Sequence, residues 1–343
     1  MCFKNKPRIF TWTLDGHKLE QVNQIKYLGV VFQQNAGRAA HMRMVADSAK
    51  CSVVAINRFF RTRGAGFIPA ALKLYSAKVI PQLLYGIQLG PYANFDMLER
   101  IQSGFLRAIF GTTRCTSNVT LRMEAGLIKI ESRAWLLIIY FWLRVHLRLV
   151  GLIPQFLSLN PQPQWCTVVS KKLAALGIDP EQLLELDLSN AKRIVKQRLA
   201  DIELQNNQAS LTEFYKGVRT RWDLSPANYL SHITLSKFRW AFTRARTNSF
   251  PSALLAGRYS GVPLEERYCR CGSGEIESIE HILLSCKLHR QPREHLILPL
   301  VCKQTDRSAE QLVKYLLSDK NVLNFNSVAK FCYIAFKMYN ENL

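Results

Sequence analysis

The sequence has few acidic residues and no long hydrophobic run. Its 343 residues include 25 Asp and Glu against 46 Lys and Arg, which gives a formal net charge of +21. The most apolar stretch, residues 134–143, is followed by Arg144 and is too short to span a bilayer, so a buried helix with a basic end fits it better. The first residues also lack an apolar stretch of signal-peptide length. These absences exclude an acidic enzyme surface and predict an intracellular protein, in the nucleus and/or cytoplasm, that does not enter a membrane.

Several catalytic patterns are missing as well. The chain has no Asp-Asp pair and no D-x-D, so it offers no obvious carboxylate pair for two-metal phosphoryl transfer. It also has no G-x-S-x-G, no Walker loop and no H-E-x-x-H. The sequence therefore indicates no self-contained active site.

Basic and apolar residues are both plentiful. Residues 1–150 carry 21 basic and 7 acidic side chains, and residues 151–343 carry 25 and 18. Hydrophobic residues make up 48% of the chain, which is enough for sizeable buried cores and excludes a disordered basic tail. Such a charge favours polyanionic partners, with nucleic acid ahead of an anionic membrane surface.

The apolar pattern predicts a mainly α fold with strands at the start. Residues 10–33 are typical of three short strands, with a tight turn at Asp15-Gly16 between the first two and IKYLGVVFQ as the third. From about Ala39 the spacing becomes helical. Further helices are expected at about 95–110, 131–150, 307–318 and 322–340, with helical signals between 171 and 249.

The sharpest chemical signal is a Cys/His cluster with the spacing C-x-C-x9-H-x4-C. Its ligand candidates are Cys269, Cys271, His281 and Cys286. Three thiolates and one imidazole suit tetrahedral zinc, and a site with all four positions filled is structural. Two alternatives stay open, namely a knuckle of reduced cysteines without metal, and His289 as the fourth ligand.

Two basic segments are candidates for phosphate contact. Residues 237–246 hold four cations and three aromatic side chains, and residues 58–66 hold three arginines beside a glycine-containing loop. Arginine forks and backbone amides suit phosphate oxygens. The alternative for 237–246 is an ordinary amphipathic helix with its aromatic side chains in the core and its charges in water.

Four stretches resemble the reverse transcriptases of non-LTR (LINE-type) retrotransposons, in the region after the catalytic core. They are WTLDGHKLEQVNQIKYLGVVF, PAALKLYSAKVIPQLLYG, LERIQSGFLRAIFG and LRMEAGLIKIESRAWL. LSKFRWAFTRAR and CRCGSGEIESIEHILLSC are similar to the segment around the Cys/His knuckle near the end of those polyproteins. The matches follow the family's order over most of residues 10–290, and YLGV and the Cys/His segment are the most specific.

The resemblance implies a division of the chain into six parts. Residues 1–34 would be a palm-end β-hairpin remnant, 35–150 a thumb-like basic helical bundle and 151–168 a linker. Residues 169–262 would be a post-polymerase helical region, 263–292 the knuckle and 293–343 the C-terminal helices. The hairpin would grip the primer through Tyr27, Leu28 and Gly29.

The resemblance also implies a function, a truncated retrotransposon polyprotein that binds template–primer RNA or DNA. The family's [FY]-x-D-D motif is missing, so polymerase activity from this chain alone is not expected. Expected partners are RNA and/or DNA and other polyprotein segments, and the expected cofactor is structural zinc. The predicted nucleic-acid contacts are Arg58, Arg61, Arg63, Lys73, Lys78, Arg107, Lys237, Arg239, Arg244 and Arg246.

Three alternatives to an inert fragment stay open. The chain is also consistent with a repurposed zinc-knuckle nucleic-acid-binding protein that has a cellular role. It is consistent with a polymerase subunit whose palm is supplied by a separate chain. Its charge further allows a basic protein of the membrane surface.

Overall fold

The computed structural model describes residues 10–35, 37–62, 68–89, 95–147, 164–302, 304 and 306–341. Over these residues the chain is mainly α-helical, with four short strands near its start, which confirms the predicted fold class. The predicted linker at 151–168 lies largely outside the described residues, and its last residues are helical. No helix among the described residues is long and apolar enough to cross a membrane.

The first helices follow the predicted ranges closely. The helices of the N-terminal part are α1 (Ala39–Thr62), α2 (Ile68–Leu74), α3 (Ile80–Leu83), α4 (Phe95–Phe110), α5 (Asn118–Ala125), α6 (Ile130–Leu147), α7 (Gln164–Ala175), α8 (Pro180–Leu184) and α9 (Leu188–Ser210). A π-helical turn, Tyr75–Val79, precedes α3, which has Pro81 in its first turn.

The later helices are shorter except for the last. They are α10 (Glu213–Val218), α11 (Tyr229–His232), α12 (Ser236–Arg246), α13 (Ala253–Ser260), α14 (Ile279–Leu284), α15 (Arg290–Leu296), α16 (Leu298–Val301), α17 (Ala309–Leu317) and α18 (Phe325–Glu341). The two helices expected at the C-terminus are confirmed as α17 and α18.

The strands form two separate antiparallel hairpins. Trp12–Leu14 (β1) pairs with His17–Leu19 (β2) around Asp15-Gly16, as predicted. Gln24–Tyr27 (β3) pairs with Val30–Gln33 (β4). The prediction of a single third strand through this segment was therefore wrong, because the chain reverses at Leu28-Gly29.

The turn at Leu28-Gly29 needs support from elsewhere in the chain. Both residues have positive φ, 46° and 79°, and for leucine this conformation costs about 1–2 kcal/mol. The hydroxyl of Tyr85 donates to the carbonyl oxygen of Leu28 at 2.7 Å. The backbone N–H of Val31 also donates to Nδ1 of the buried His41 at 3.4 Å, so contacts outside the hairpin hold it in place.

The chain divides into two compact units, each taken from three parts of the sequence. Residues 1–54, 75–102 and 129–203 form the first unit, and residues 55–74, 103–128 and 204–343 form the second. The six-part division implied by the resemblance stays a prediction.

The first unit is organised around α6. The apolar stretch 134–143 supplies buried side chains, among them Ile138, Trp142 and Leu143, which confirms that it is a core helix. Two carboxylates accept hydrogen bonds from backbone N–H groups at the start of α6. Glu203 accepts from the backbone N–H of Lys129 at 3.2 Å, and Glu99 accepts from that of Glu131 at 3.1 Å. Negative charge at a helix N-terminus is stabilising, so these contacts tie α4 and α9 to α6.

The second unit is built around the pair α12 and α18. Aromatic pairs line their contact, with ring centroids 4.5 Å apart for Trp240–Phe336 and 5.5 Å apart for Phe242–Phe325. Gly111, just after α4, admits Trp240. Its φ is +62°, and a Cβ there would lie 1.5 Å from Nε1 of Trp240.

Phe242 is fully buried, and Phe238 and Trp240 are half-buried against α18. The alternative interpretation of this helix is therefore right about the side on which the aromatic residues pack, but wrong to place all the charges in water, since Arg239 and Arg246 are buried.

Candidate metal centre

The first half of the Cys/His segment is a tight β-turn structure that carries two cysteines. Tyr268 and Ile276 form an antiparallel bridge, and the N–H of Cys269 donates to the carbonyl of Glu275 at 2.8 Å. Gly272 and Gly274 both have φ near +72°, a conformation that glycine adopts at little cost. The turn thus brings Cys269 and Cys271 to the same side of the loop.

The second half is the short helix α14 with its flanking residues. The hydroxyl of Ser278 accepts from the N–H of His281 at 3.1 Å, so Ser278 caps the helix and fixes the turn that carries His281. The N–H of Cys286 donates to the carbonyl of His281 at 2.8 Å, which bends the chain back after the helix. The cap at Ser278 and the bend before Cys286 thus position His281 and Cys286.

The four predicted ligands converge. One donor atom from each of Cys269, Cys271, His281 and Cys286 lies within 4.8 Å of all the others. The Sγ atoms of Cys269 and Cys286 are 3.6 Å apart, and Sγ of Cys271 is 3.3 Å from Nε2 of His281. Zinc–sulfur bonds of 2.3 Å at tetrahedral angles place sulfurs about 3.8 Å apart. The cluster could therefore hold a metal ion without rearrangement of the fold.

His289 is not part of this cluster. It is buried beside Phe331, with ring centroids 6.2 Å apart, and its Nδ1 has no hydrogen-bond partner among the described residues. Burial, followed by the charges of Arg293 and His281, lowers the pKa of His289 to about 4. The histidine in the four-donor cluster is His281, and the alternative with His289 as ligand does not fit the structure.

The carboxylate of Glu275 orients His281. Glu275 was not among the residues predicted from the sequence. Nδ1 of His281 lies against the carboxylate of Glu275, and the hydroxyl of Ser285 is 3.0 Å from both groups. With its Nδ1–H donated to Glu275, the imidazole presents the lone pair of Nε2 to the cluster. Histidines that bind metals usually have such a partner. The signal available in the sequence was an acidic residue inside the ligand segment.

Arg293 is a second residue that supports the cluster and was not predicted from the sequence. Its buried guanidinium donates to the carbonyl of Leu283 at 3.1 Å and to that of Cys286. Leu283 lies in the last turn of α14, where carbonyls have no partner within the helix, and Cys286 follows the helix. Arg293 thereby fixes the bend that returns Cys286 to the cluster.

The protonation of the thiols differs across the cluster. Burial raises the pKa of Cys269 and of Cys286 above the usual thiol value. Burial also acts on Cys271, but hydrogen bonds from Ser273 and from backbone N–H groups outweigh it and lower its pKa to about 6. Because metals bind thiolates, a cation here would displace protons from the two buried thiols, and its binding would weaken at low pH.

The predicted nucleic-acid contacts fall into four groups. The exposed residues are Arg58, Lys73, Lys78 and Lys237. Arg107 and Arg244 are half-buried and bonded internally, and Nε of Arg244 donates to the carbonyl of Gly111 at 2.6 Å. Arg63 and the side chain of Arg61 lie outside the described residues.

Arg239 and Arg246 form the fourth group, and for them the prediction of phosphate contact was wrong. Arg239 is 4% exposed and donates to the carbonyl of Ile233. Arg246 is completely buried and forms ion pairs with Glu124 at 2.9 Å and Asp319 at 3.0 Å. A guanidinium enclosed in this way cannot reach a phosphate. It instead neutralises buried carboxylates in the core of the second unit.

The residues assigned to the primer-grip-like hairpin lie at the tip of β3–β4. Tyr27 is 64% exposed and Leu28 is 75% exposed, and Gly29 packs beside the ring of Tyr85. The hairpin is thus present with an exposed apolar tip, and its grip on a primer stays a prediction.

No protein-family model, curated protein or solved structure matches this chain. The Cys/His cluster and the distribution of charge are therefore the observations from which a function is inferred.

Proposed function

We propose that this chain binds nucleic acid and holds a structural zinc ion in the Cys/His cluster, as expected from its resemblance to non-LTR reverse transcriptases. The observation that carries the proposal is the convergence of four soft donors within 4.8 Å. That segment is also one of the two most specific parts of the resemblance. Zinc is favoured over other metals because three thiolates and one imidazole form its usual tetrahedral ligand set.

The cluster suits a structural ion more than a catalytic one. Three of its four residues are buried, and all four donors face one another, which leaves no protein-derived open position for water or substrate. Zinc would join the loop with Cys269 and Cys271 to the helix with His281. The knuckle would then be a rigid platform, and the chemistry of the ion itself would not be used.

Nucleic-acid binding is supported by charge. The chain has a net charge of +21, and Arg58, Lys73, Lys78 and Lys237 stand at the surface. Lysine and arginine at a surface bind phosphates and release counterions, so affinity should fall steeply with salt. The proposal assigns binding and not polymerisation to these residues, because the chain has no [FY]-x-D-D motif.

The zinc part of the proposal is tested by metal analysis of the purified protein. We expect about one zinc ion per chain in the wild type and loss of zinc in Cys269→Ser. Cys302→Ser is the matched control, since Cys302 is exposed and outside the cluster. Equal zinc content in the wild type and Cys269→Ser would refute the assignment.

The binding part is tested with an RNA–DNA primer–template duplex and a salt titration. We expect the logarithm of affinity to fall linearly with the logarithm of salt concentration. Binding that is weak or independent of salt would contradict the proposal. A retrotransposon fragment and a repurposed zinc-knuckle protein would both bind nucleic acid. The experiment therefore tests nucleic-acid binding and does not distinguish between these two interpretations.

A further inference from the structure

An open polar groove lies in the second unit, and none of its lining residues belongs to the basic segments noted in the sequence. Its volume is about 580 Å³, and it is lined by residues near the ends of α10 and α17 and by the loop after α17. The N–H of Asp319 donates to the carbonyl of Val218 at 3.2 Å, which joins these two parts of the chain. A backbone hydrogen bond therefore holds the two walls of the groove together.

The groove is strongly basic. Arg307, Lys314 and Lys320 line it, together with the polar side chains of Gln311 and Asn321, and no carboxylate is among its lining residues. Lys314 pairs with Glu310 at 2.6 Å on the same helix, a carboxylate that is 65% exposed. Within the described part of the chain, Arg307 and Lys320 have no ion pair. For two of the three cations, therefore, no described acidic side chain competes with a ligand.

Two contacts arrange the cations in advance. The guanidinium of Arg307 lies over the ring of Tyr315, 4.3 Å from its centroid, which holds the planar group in place. Gly217 lets the stem of Lys314 cross α10, since a Cβ at this glycine would lie 2.5 Å from Cδ of the lysine. Preorganised cations lose less entropy when an anion binds.

The chemistry of the groove points to phosphate groups. It is open and polar, whereas sites for small organic ligands are mostly enclosed and apolar. Arg307 already lies over one face of Tyr315, the one aromatic residue among the groove's lining residues, so the groove offers mainly charge and hydrogen bonds. Such a surface recognises a phosphate backbone and does not read bases.

We propose that the groove lined by Arg307, Lys314 and Lys320 binds the phosphate backbone of nucleic acid. The inference rests on the proposed function, and it assigns to that function a contact surface that the basic sequence segments did not indicate.

The test compares two triple variants of the full chain that lose the same charge. The groove variant is R307Q/K314Q/K320Q, and the control is K171Q/R193Q/K196Q, in which three exposed cations of the first unit are changed. Binding of labelled oligouridine and oligoadenosine RNA is measured between roughly 50 and 200 mM salt. Urea unfolding checks that each variant is folded, and the single variant R307Q replaces the triple variant if it is not.

We expect the groove variant to bind both RNAs more weakly and to lower the salt slope by about two, at about 0.7 per lost contact on single strands. The control should keep the wild-type slope. An unchanged slope in a folded groove variant would overturn the inference even if the wild type binds RNA well. Equal losses in both variants would also overturn it, because they would reflect net charge alone.

A second arm separates this inference from the proposed function. Binding of inorganic tripolyphosphate is measured by calorimetry for the wild type and the groove variant. If the wild type binds tripolyphosphate through the groove but binds no RNA or duplex, the proposed function fails, the assignment of nucleic acid as the ligand fails with it, and the groove is a site for free polyphosphate. If it binds neither, both the proposed function and the groove assignment are overturned.

Discussion

The second unit contains two buried polar clusters that solve the same electrostatic problem in different ways. Around Arg246, an arginine lies between the carboxylates of Glu124 and Asp319, so the cation belongs to the chain itself. In the Cys/His cluster, three sulfurs and an imidazole face one another and, on our proposal, a zinc ion from solution joins them. The first cluster needs no ion from solution. The stability of the second depends on the metal content of the solution.

The clusters also differ in how far apart their members are in the sequence. The metal ligands come from residues 269–286, so the cluster needs little more than a turn and a short helix. Glu124 and Arg246 are 122 positions apart, and Arg246 bonds the carbonyl of Leu317, 71 positions away. The Arg246 cluster can form only when the whole second unit folds, whereas the Cys/His cluster can open locally.

The largest effect is expected from removal of the internal cation. Arg246→Met removes the cation that pairs with the buried carboxylates of Glu124 and Asp319, and the Tyr215 hydroxyl that still donates to Glu124 does not replace its charge. Breaking a buried ion pair in this way costs about 3–5 kcal/mol. The measurement is the free energy of unfolding in urea, with and without a chelator. Arg290→Met is the control, because its pair with Glu294 is exposed and worth about 0.3–0.5 kcal/mol. A loss in Arg246→Met no larger than in the control would show that the cluster is not a structural centre.

The same cluster predicts a dependence of stability on pH. Burial raises the pKa of Glu124, but Arg246 and Arg219 outweigh it, so the pKa lies below its ordinary value of 4.5. Glu124 is thus more acidic in the folded than in the unfolded chain. Its stabilising contribution is complete above the unfolded value and is lost as the pH falls through the folded value.

The measurement is the free energy of unfolding from pH 7 down to about 3 for the wild type and Glu124→Gln, with chelator present throughout so that metal release does not contribute. We expect a steeper fall below pH 4.5 in the wild type. Asp319, whose pKa is raised by burial and by the charge of Glu124, acts in the opposite direction in the wild type. Parallel curves would mean that Glu124 is not held by Arg246.

A smaller effect is expected at the support of the metal cluster. Glu275→Ala removes the partner of Nδ1 of His281, and loss of such a partner usually lowers metal affinity by about 10- to 100-fold. Affinity is measured by competition with a zinc chelator, and Glu265→Ala, an exposed carboxylate outside the cluster, is the control. The stability of the chelated protein should not change. An unaltered zinc affinity would show that His281 is oriented without Glu275.

The contrast between local and distant contacts also explains what the sequence could predict. Met42, Val45 and Val53 recur at helical spacing and are buried on α1, because a helical face is defined by nearby residues. The metal ligands were predicted for the same reason. The mainly α fold followed from many such local patterns.

The errors arose where distant residues decide the local structure. The strand through Tyr27 and Val30 is split because Tyr85, 57 positions from Leu28, supports a turn that leucine does not favour. Arg246 resembles a surface cation within its own segment, and only its distant carboxylates place it in the core. Glu275 was not predicted for another reason: the spacing of cysteines and histidines indicates metal ligands, but it does not indicate the residues that orient those ligands.

The smallest expected effect compares two helix caps. Ser278 caps α14, which carries His281, and Ser308 caps α17, which carries no metal ligand. Replacing an N-cap serine by alanine costs about 0.5–2 kcal/mol. In Ser278→Ala this cost falls on the helix that must form before His281 can bind metal, so zinc affinity should decrease by roughly 2- to 30-fold. Ser308→Ala should lower the free energy of unfolding by a similar amount without a change in zinc affinity. If both variants left zinc affinity unchanged, the helix would form independently of the metal, and the Cys/His cluster would be as preformed as the cluster around Arg246.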